Sequence, residues 1–121
     1  MSSSLLFNIT GVIFAVLPIP HTQMFMAVLK PGLRGANGPS SMAAAISWNQ
    51  ANGYFITTAL LCFKWAKQGG VPQGIEKYIF AALIATQLAT AAAYARKGVM
   101  GPPALYVTAS ALMGIAAAKG I

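Results

Sequence analysis

The chain has 121 residues, of which 57% are hydrophobic and only 7% are charged. Soluble domains carry about 25% charged residues, because a surface that faces water needs them. Eight Lys and Arg, one acidic residue and one His are too few to cover a domain of this size in water, which excludes an ordinary soluble globular protein. The composition predicts an integral, multi-pass membrane protein.

The formal net charge of +7 comes from cations that stand singly or in pairs between long apolar runs. They are Lys30, Arg34, Lys64, Lys67, Lys77, Arg96, Lys97 and Lys119. This spacing is typical of side chains that anchor helix ends at lipid head groups, whereas nucleic-acid binding needs a clustered basic patch. We therefore expect membrane lipids as partners and no nucleic acid.

Four apolar stretches, separated by Gly, Pro and cations, predict four helices. They cover about residues 5–29, 42–66, 75–95 and 103–118. The first three reach or exceed a hydrocarbon core of about 30 Å at a rise of 1.5 Å per residue, and the shorter fourth spans if its flanks enter the interface. The stretches lack the alternation of barrel strands. The predicted fold is all-α, an integral membrane bundle of four antiparallel transmembrane helices in a single domain over residues 1–121.

Small residues recur at every fourth position of the predicted helices. The clearest row lies on the third helix and consists of Ala81, Ala85, Ala89 and Ala93. Gly11 on the first helix, and Ser110 and Gly114 on the fourth, belong to similar rows. Lipid gives helices no hydrophobic reason to associate, so small residues that let backbones approach are expected at helix contacts. The rows serve packing within the bundle or against a partner subunit, and the sequence leaves both open.

The segment Leu17-Pro-Ile-Pro-His-Thr-Gln23 interrupts the first helix. Its two prolines remove two backbone donors, which predicts a kink with unpaired carbonyl groups. His21 and Gln23 lie in or just beyond this kink. They satisfy the freed carbonyl groups, or they line a polar cavity in which His21 contacts a ligand or donates a proton.

Three side-chain amides, Asn49, Gln50 and Asn52, lie in the first half of the second helix. Amides at membrane depth are costly unless they have partners, so interhelical hydrogen bonds are one interpretation. The other is a small polar pocket that these amides form with His21, completed by Gln87 of the third helix.

In that pocket Trp48 and Tyr54 are the expected apolar walls. His21 and Asn49 are expected at similar depth, because one lies nine residues before Lys30 and the other nine after Ser40. Aromatic residues near helix ends are interpreted instead as an interfacial belt. They are Trp65, Tyr78, Tyr94 and Tyr106.

Several kinds of chemistry are missing from the sequence. With one His, one Cys at position 62 and one carboxylate, the chain by itself supplies neither a three-ligand or four-ligand metal site nor a pair of catalytic carboxylates. It has no glycine-rich phosphate loop and no nucleophile elbow. We expect no metal and no cofactor, and an enzyme that works alone is disfavoured.

The order of helices and loops is similar to that of two families of small four-helix membrane proteins. Asn49 resembles the Asn of the membrane-associated eicosanoid and glutathione metabolism family, but without the basic residue before it and the Glu after it. The segment Lys97-Gly-Val-Met-Gly-Pro102 is similar to one in a sterol-biosynthesis scaffold family of the endoplasmic reticulum. Thr86-Gln87-Leu88 stands where that family has acidic and histidine residues. Both resemblances imply a four-helix membrane fold, and neither identifies the chain as a member.

The function expected from these features is that of a non-catalytic accessory or scaffold subunit in a larger membrane complex. Its partners are then other membrane-protein subunits or further copies of the chain. The alternative is a small membrane enzyme or lipid-binding protein that acts on a hydrophobic substrate through the polar intramembrane pocket.

Overall fold

The computed structural model describes residues 1–71 and 73–120. Helices account for 85% of it, and this part of the chain contains no strands, which confirms the all-α prediction. It holds four long helices. They are α1 (Ser3–Gly32), α2 (Pro39–Gln68), α3 (Ile75–Arg96) and α4 (Gly101–Gly120).

The prolines in α1 do not end the helix. Leu17 keeps right-handed helical dihedral angles (φ −53°, ψ −35°), and the backbone amide of His21 donates to the Leu17 carbonyl at 3.1 Å. A π-helical stretch, Phe25–Leu29, follows before the helix ends. Such wider turns occur mostly as single-turn bulges inside α-helices. The region around His21 is therefore continuous helix with an altered winding next to it.

α1 packs along α2 in antiparallel fashion. The Phe7 ring lies 5.7 Å from the Trp65 ring, and the Phe14 ring lies 6.2 Å from the Phe55 ring. Residue numbers thus rise along α1 in the direction in which they fall along α2. Gly11 lies between these aromatic contacts and is buried. Its missing side chain leaves room for a close approach of the two helices.

α4 joins α1 and α3 into the same bundle. Near the start of α1, the Ser3 hydroxyl donates to the Ala116 carbonyl at 2.7 Å. Between α3 and α4, the Ser110 hydroxyl donates to Gln87 Oε1 at 2.8 Å, and both residues are buried. These contacts place the beginning of α1 and the end of α4 at the same end of the molecule.

α2 and α3 are held together mainly near the turn between them. Glu76 in the first turn of α3 forms an ion pair with Lys64, and it accepts a hydrogen bond from Trp65 Nε1 at 2.6 Å. Further along, the Tyr54 hydroxyl donates to the Leu83 carbonyl at 3.3 Å. Beyond Tyr54 a cavity lies between the two helices.

Length and composition make α1, α3 and α4 suitable for crossing a membrane. α2 has 30 residues, as many as α1 and more than α3 or α4, but its first half carries Ser47, Asn49, Gln50 and Asn52, which lower its mean hydropathy. Within the described ranges, three helices are therefore long and apolar enough to span a bilayer.

Candidate functional site

His21 is the centre of a polar contact between α1 and α2. Its ring stacks on the Trp48 ring, with centroids 4.4 Å apart and planes 8° from parallel, and the Phe55 ring meets it edge-on at 5.1 Å. Trp48 Nε1 also donates to the His21 carbonyl at 3.0 Å. The indole thus holds both the backbone and the side chain of His21.

Asn52 completes this contact. Its Oδ1 lies 3.0 Å from His21 Nδ1, and its Nδ2 donates to the Thr22 hydroxyl at 3.0 Å. Asn52 occurs one turn after Trp48 on α2, so both side chains point to the same part of α1. One amide therefore bonds two consecutive residues of the neighbouring helix.

A cavity of about 510 Å³ lies beside this contact, between α2 and α3. His21 and Trp48 form one wall of it, and Tyr106 of α4 forms another. Polar side chains of the two flanking helices line the rest. They are Ser47, Gln50, Tyr54, Thr86, Gln87, Thr90 and Tyr94, and Ala44 and Ala51 complete the lining. All of these groups are uncharged, and His21 is the one whose ordinary pKa lies near neutrality.

A second cavity, of about 240 Å³, adjoins the first on the side of α1 and α4. It shares His21, Trp48, Tyr94 and Tyr106 with the larger cavity. The remaining walls are apolar for the most part and include Leu17, Pro20, Met24 and Leu105. The two cavities thus meet across the same four ring-bearing side chains, and the larger cavity has more polar side chains in its lining.

The six predicted polar site residues occupy different environments in the structure. His21, Gln50 and Gln87 line the larger cavity. Asn52 lies outside the lining and hydrogen-bonds to His21. Asn49 is exposed, and its amide donates to the Ala45 carbonyl of its own helix at 2.9 Å. Gln23 is also exposed, outside the cavity lining.

The predicted packing residues divide into an inner and an outer group. Gly11 and Ser110 are buried inside the bundle, whereas Gly114 is exposed. The whole alanine row of α3 is exposed as well. It consists of Ala81, Ala85, Ala89 and Ala93, which we call the alanine ridge. α3 instead buries Leu83, Gln87 and Ala91.

The sequence predicts Tyr54 as a wall of the pocket but not the other two tyrosines that line the cavity. Tyr94 and Tyr106 lie near helix ends, which favours an interfacial belt, but both line the two cavities. A usable signal is present on α3, where Gln87, Thr90 and Tyr94 follow at spacings of three and four and form one polar stripe. Trp65 is also no belt residue, because it is fully buried.

Neither metal-binding groups nor similarity to known proteins indicates a function for this chain. Across residues 1–71 and 73–120, no group of three His, Cys, Asp or Glu side chains lies close enough to hold a metal ion. No protein-family model, curated protein or solved structure matches this chain. The function has to be argued from the geometry.

Proposed function

We propose that all four helices cross a membrane as an antiparallel bundle. The outside of each helix carries exposed large apolar side chains, such as Val12, Leu60, Leu88 and Val107. Lipid is the solvent that such a surface fits, since large exposed apolar patches are rare on soluble monomers. With 30 residues, α2 is about 45 Å long and easily spans the core.

The polar residues of α2 do not prevent it from crossing. Asn52 and Trp48 hydrogen-bond to α1, and Tyr54 hydrogen-bonds to α3, so these groups are satisfied by neighbouring helices. Interhelical hydrogen bonding of this kind is common in membrane bundles. Packing thus satisfies part of the polar side chains of α2, Asn49 bonds to its own helix, and Ser47 and Gln50 line the cavity between α2 and α3.

Within the membrane, the chain serves as a non-catalytic accessory or scaffold subunit that holds a helix of a partner membrane protein. The observation that carries this proposal is the outward direction of the alanine ridge. Four small side chains at every fourth position form a flat strip, and the buried face of α3 lies on its other side. Such strips allow backbones to approach closely, which is the main route by which helices associate in lipid.

The test uses Ala85→Leu in the middle of the alanine ridge and measures the mass of the complex purified in mild detergent. The wild-type chain should migrate with partners, at a mass well above its own 12.5 kDa. Ala85→Leu should release the partner, because a leucine keeps the two backbones apart. The variant itself should remain folded, since position 85 is exposed.

Ala104→Leu on α4 is the matched control, because it makes the same change at another exposed alanine. It should leave the complex intact. The proposal fails if the wild-type chain runs alone with bound lipid, or if the two variants lose the partner equally.

A further inference from the structure

We infer that the larger cavity, between α2 and α3, binds a neutral lipid through an uncharged hydroxyl or carbonyl head group. This ligand site is separate from the alanine ridge, because the cavity lies on the inner side of α3, among Gln87, Thr90 and Tyr94. It therefore adds a bound small molecule to the accessory role and does not depend on it.

The first argument is the charge of the cavity walls. The lining contains no Lys, Arg, Asp or Glu among the described residues. A phosphate, carboxylate or ammonium head group inside the cavity would lose its hydration without gaining an ion-pair partner, which is costly in a medium of low dielectric constant. The groups that contact the His21 ring are Asn52, Trp48 and Phe55, so no carboxylate lies there to stabilise a charged imidazole.

The second argument is the supply of hydrogen-bonding groups. Tyr54 and Gln87 are already engaged, with the Leu83 carbonyl and the Ser110 hydroxyl respectively. Other polar side chains of the lining make no side-chain hydrogen bond to any residue that the structure describes. They are Ser47, Gln50, Thr90, Tyr94 and Tyr106. Ser47 and Gln50 are exposed, whereas Thr90, Tyr94 and Tyr106 are half-buried. A hydroxyl or carbonyl head group matches all five as a hydrogen-bond partner and requires no counter-ion.

The third argument is the shape of the site. Its volume of about 510 Å³ lies within the range of about 300–1,000 Å³ that small-molecule sites occupy. The adjoining apolar cavity, lined by Leu17, Met24 and Leu105, offers space for hydrocarbon. The rings of Trp48 and Tyr106 belong to both cavities. The head group thus lies between α2 and α3, and the hydrocarbon passes over these rings towards α1 and α4.

The experiment uses a long-chain alcohol that carries a photoreactive diazirine in its chain, added to the full-length protein in phosphatidylcholine vesicles. Labelled peptides are mapped by mass spectrometry. We expect labelling around Tyr94 and Tyr106 that an excess of unlabelled alcohol abolishes. The matching sulfonate has the same chain but a permanent negative charge. It should label these peptides at least about tenfold less than the alcohol does.

Two pairs of substitutions, each at adjacent residues, distinguish labelling in the cavity from labelling at the lipid-facing surface. Ala44→Phe fills the lining, whereas Ala43→Phe makes the same change at an adjacent exposed residue outside it. Gln50→Leu removes a lining amide, whereas Asn49→Leu removes an exposed amide outside this cavity. Labelling by the alcohol should fall about tenfold with Ala44→Phe and severalfold with Gln50→Leu, and it should not change with either control.

Equal labelling in a cavity variant and its control would overturn the site, and so would labelling spread evenly along all four helices. Sulfonate labelling as strong as alcohol labelling would overturn the neutral head group. If Ala44→Phe fails to fold, the Gln50 and Asn49 pair decides the outcome. Ala85→Leu on the alanine ridge should leave the labelling unchanged, so failure of the accessory role and failure of the lipid site are distinguishable.

Discussion

At the scale of single residues, the contact between α1 and α2 depends on His21 and its partners on the neighbouring helix. The Trp48 ring stacks on the His21 ring, and Asn52 hydrogen-bonds at Nδ1. The Phe55 ring packs against the His21 ring at nearly a right angle. Asn52 also reaches Thr22, so the contact joins two successive residues of α1. These bonds fix the rotation of α1 relative to α2, because they form only when both side chains face each other.

We expect Asn52→Ala to lower the free energy of unfolding by about 1 kcal/mol. The variant loses the bonds to His21 and Thr22, and interhelical hydrogen bonds in membrane proteins contribute about 0.6 kcal/mol each on average. Unfolding of the detergent-solubilised protein by increasing amounts of a denaturing detergent measures the change. Asn49→Ala is the control and should shift the curve much less, because Asn49 bonds only to its own helix. Equal shifts would show that the contact with His21 contributes nothing.

At the scale of helices, two small residues at equivalent places in the sequence pattern have opposite environments. A Cβ atom at Gly11 would lie 2.6 Å from Cε1 of Phe63, so α1 and α2 are in tight contact there. A Cβ atom at Gly114 would have no heavy atom of a neighbouring element within 4 Å. The first glycine serves contact within the chain, and the second lies on the outside of α4.

Gly11→Leu should therefore destabilise the fold by about 1–3 kcal/mol, the usual cost of overpacking a close contact. Gly114→Leu should leave thermal stability unchanged or raise it, because a glycine within a helix costs about 0.5–1 kcal/mol relative to alanine. Thermal unfolding in mild detergent compares the two variants. Adding Phe63→Ala to Gly11→Leu should restore part of the stability, and absence of any restoration would contradict the assigned contact.

At the scale of the whole molecule, the bundle brings the start of α1 next to the end of α4. The Ser3 hydroxyl donates to the Ala116 carbonyl, and a Cβ atom at Gly120 would lie 3.1 Å from Ser3 Oγ. An even number of crossings leaves these two ends on the same side of a membrane. If only α1, α3 and α4 crossed it, the two ends would lie on opposite sides.

Epitope tags at the two ends of the chain test this topology in sealed vesicles. We expect both tags to be digested by added protease together, or protected together. A third tag inserted between α1 and α2, at Asn37, should behave in the opposite way, because it follows the first crossing. Opposite behaviour of the two end tags would contradict the four-helix membrane bundle.

The sequence by itself determined the all-helical fold and the approximate extents of its helices. Apolar runs, and the Gly, Pro and cations between them, act over a few neighbouring residues, so each boundary can be predicted locally. The sequence also predicts hydrogen-bond partners for His21 and the amides of α2, which His21 has, whereas Gln50 has none among the residues that the structure describes. Their identities required tertiary structure, which pairs His21 with Asn52 and leaves Asn49 outside.

Only the tertiary structure decided which side of each helix faces inwards. A soluble helix shows its buried face as an apolar stripe, whereas a helix that is apolar all round carries no such direction. The small residues of α3 could thus be predicted as a packing face, but not as the exposed alanine ridge. The same reason explains why the sequence did not predict Tyr94 and Tyr106 in the lining of the cavity. Their positions depend on helix rotation and on packing across four helices.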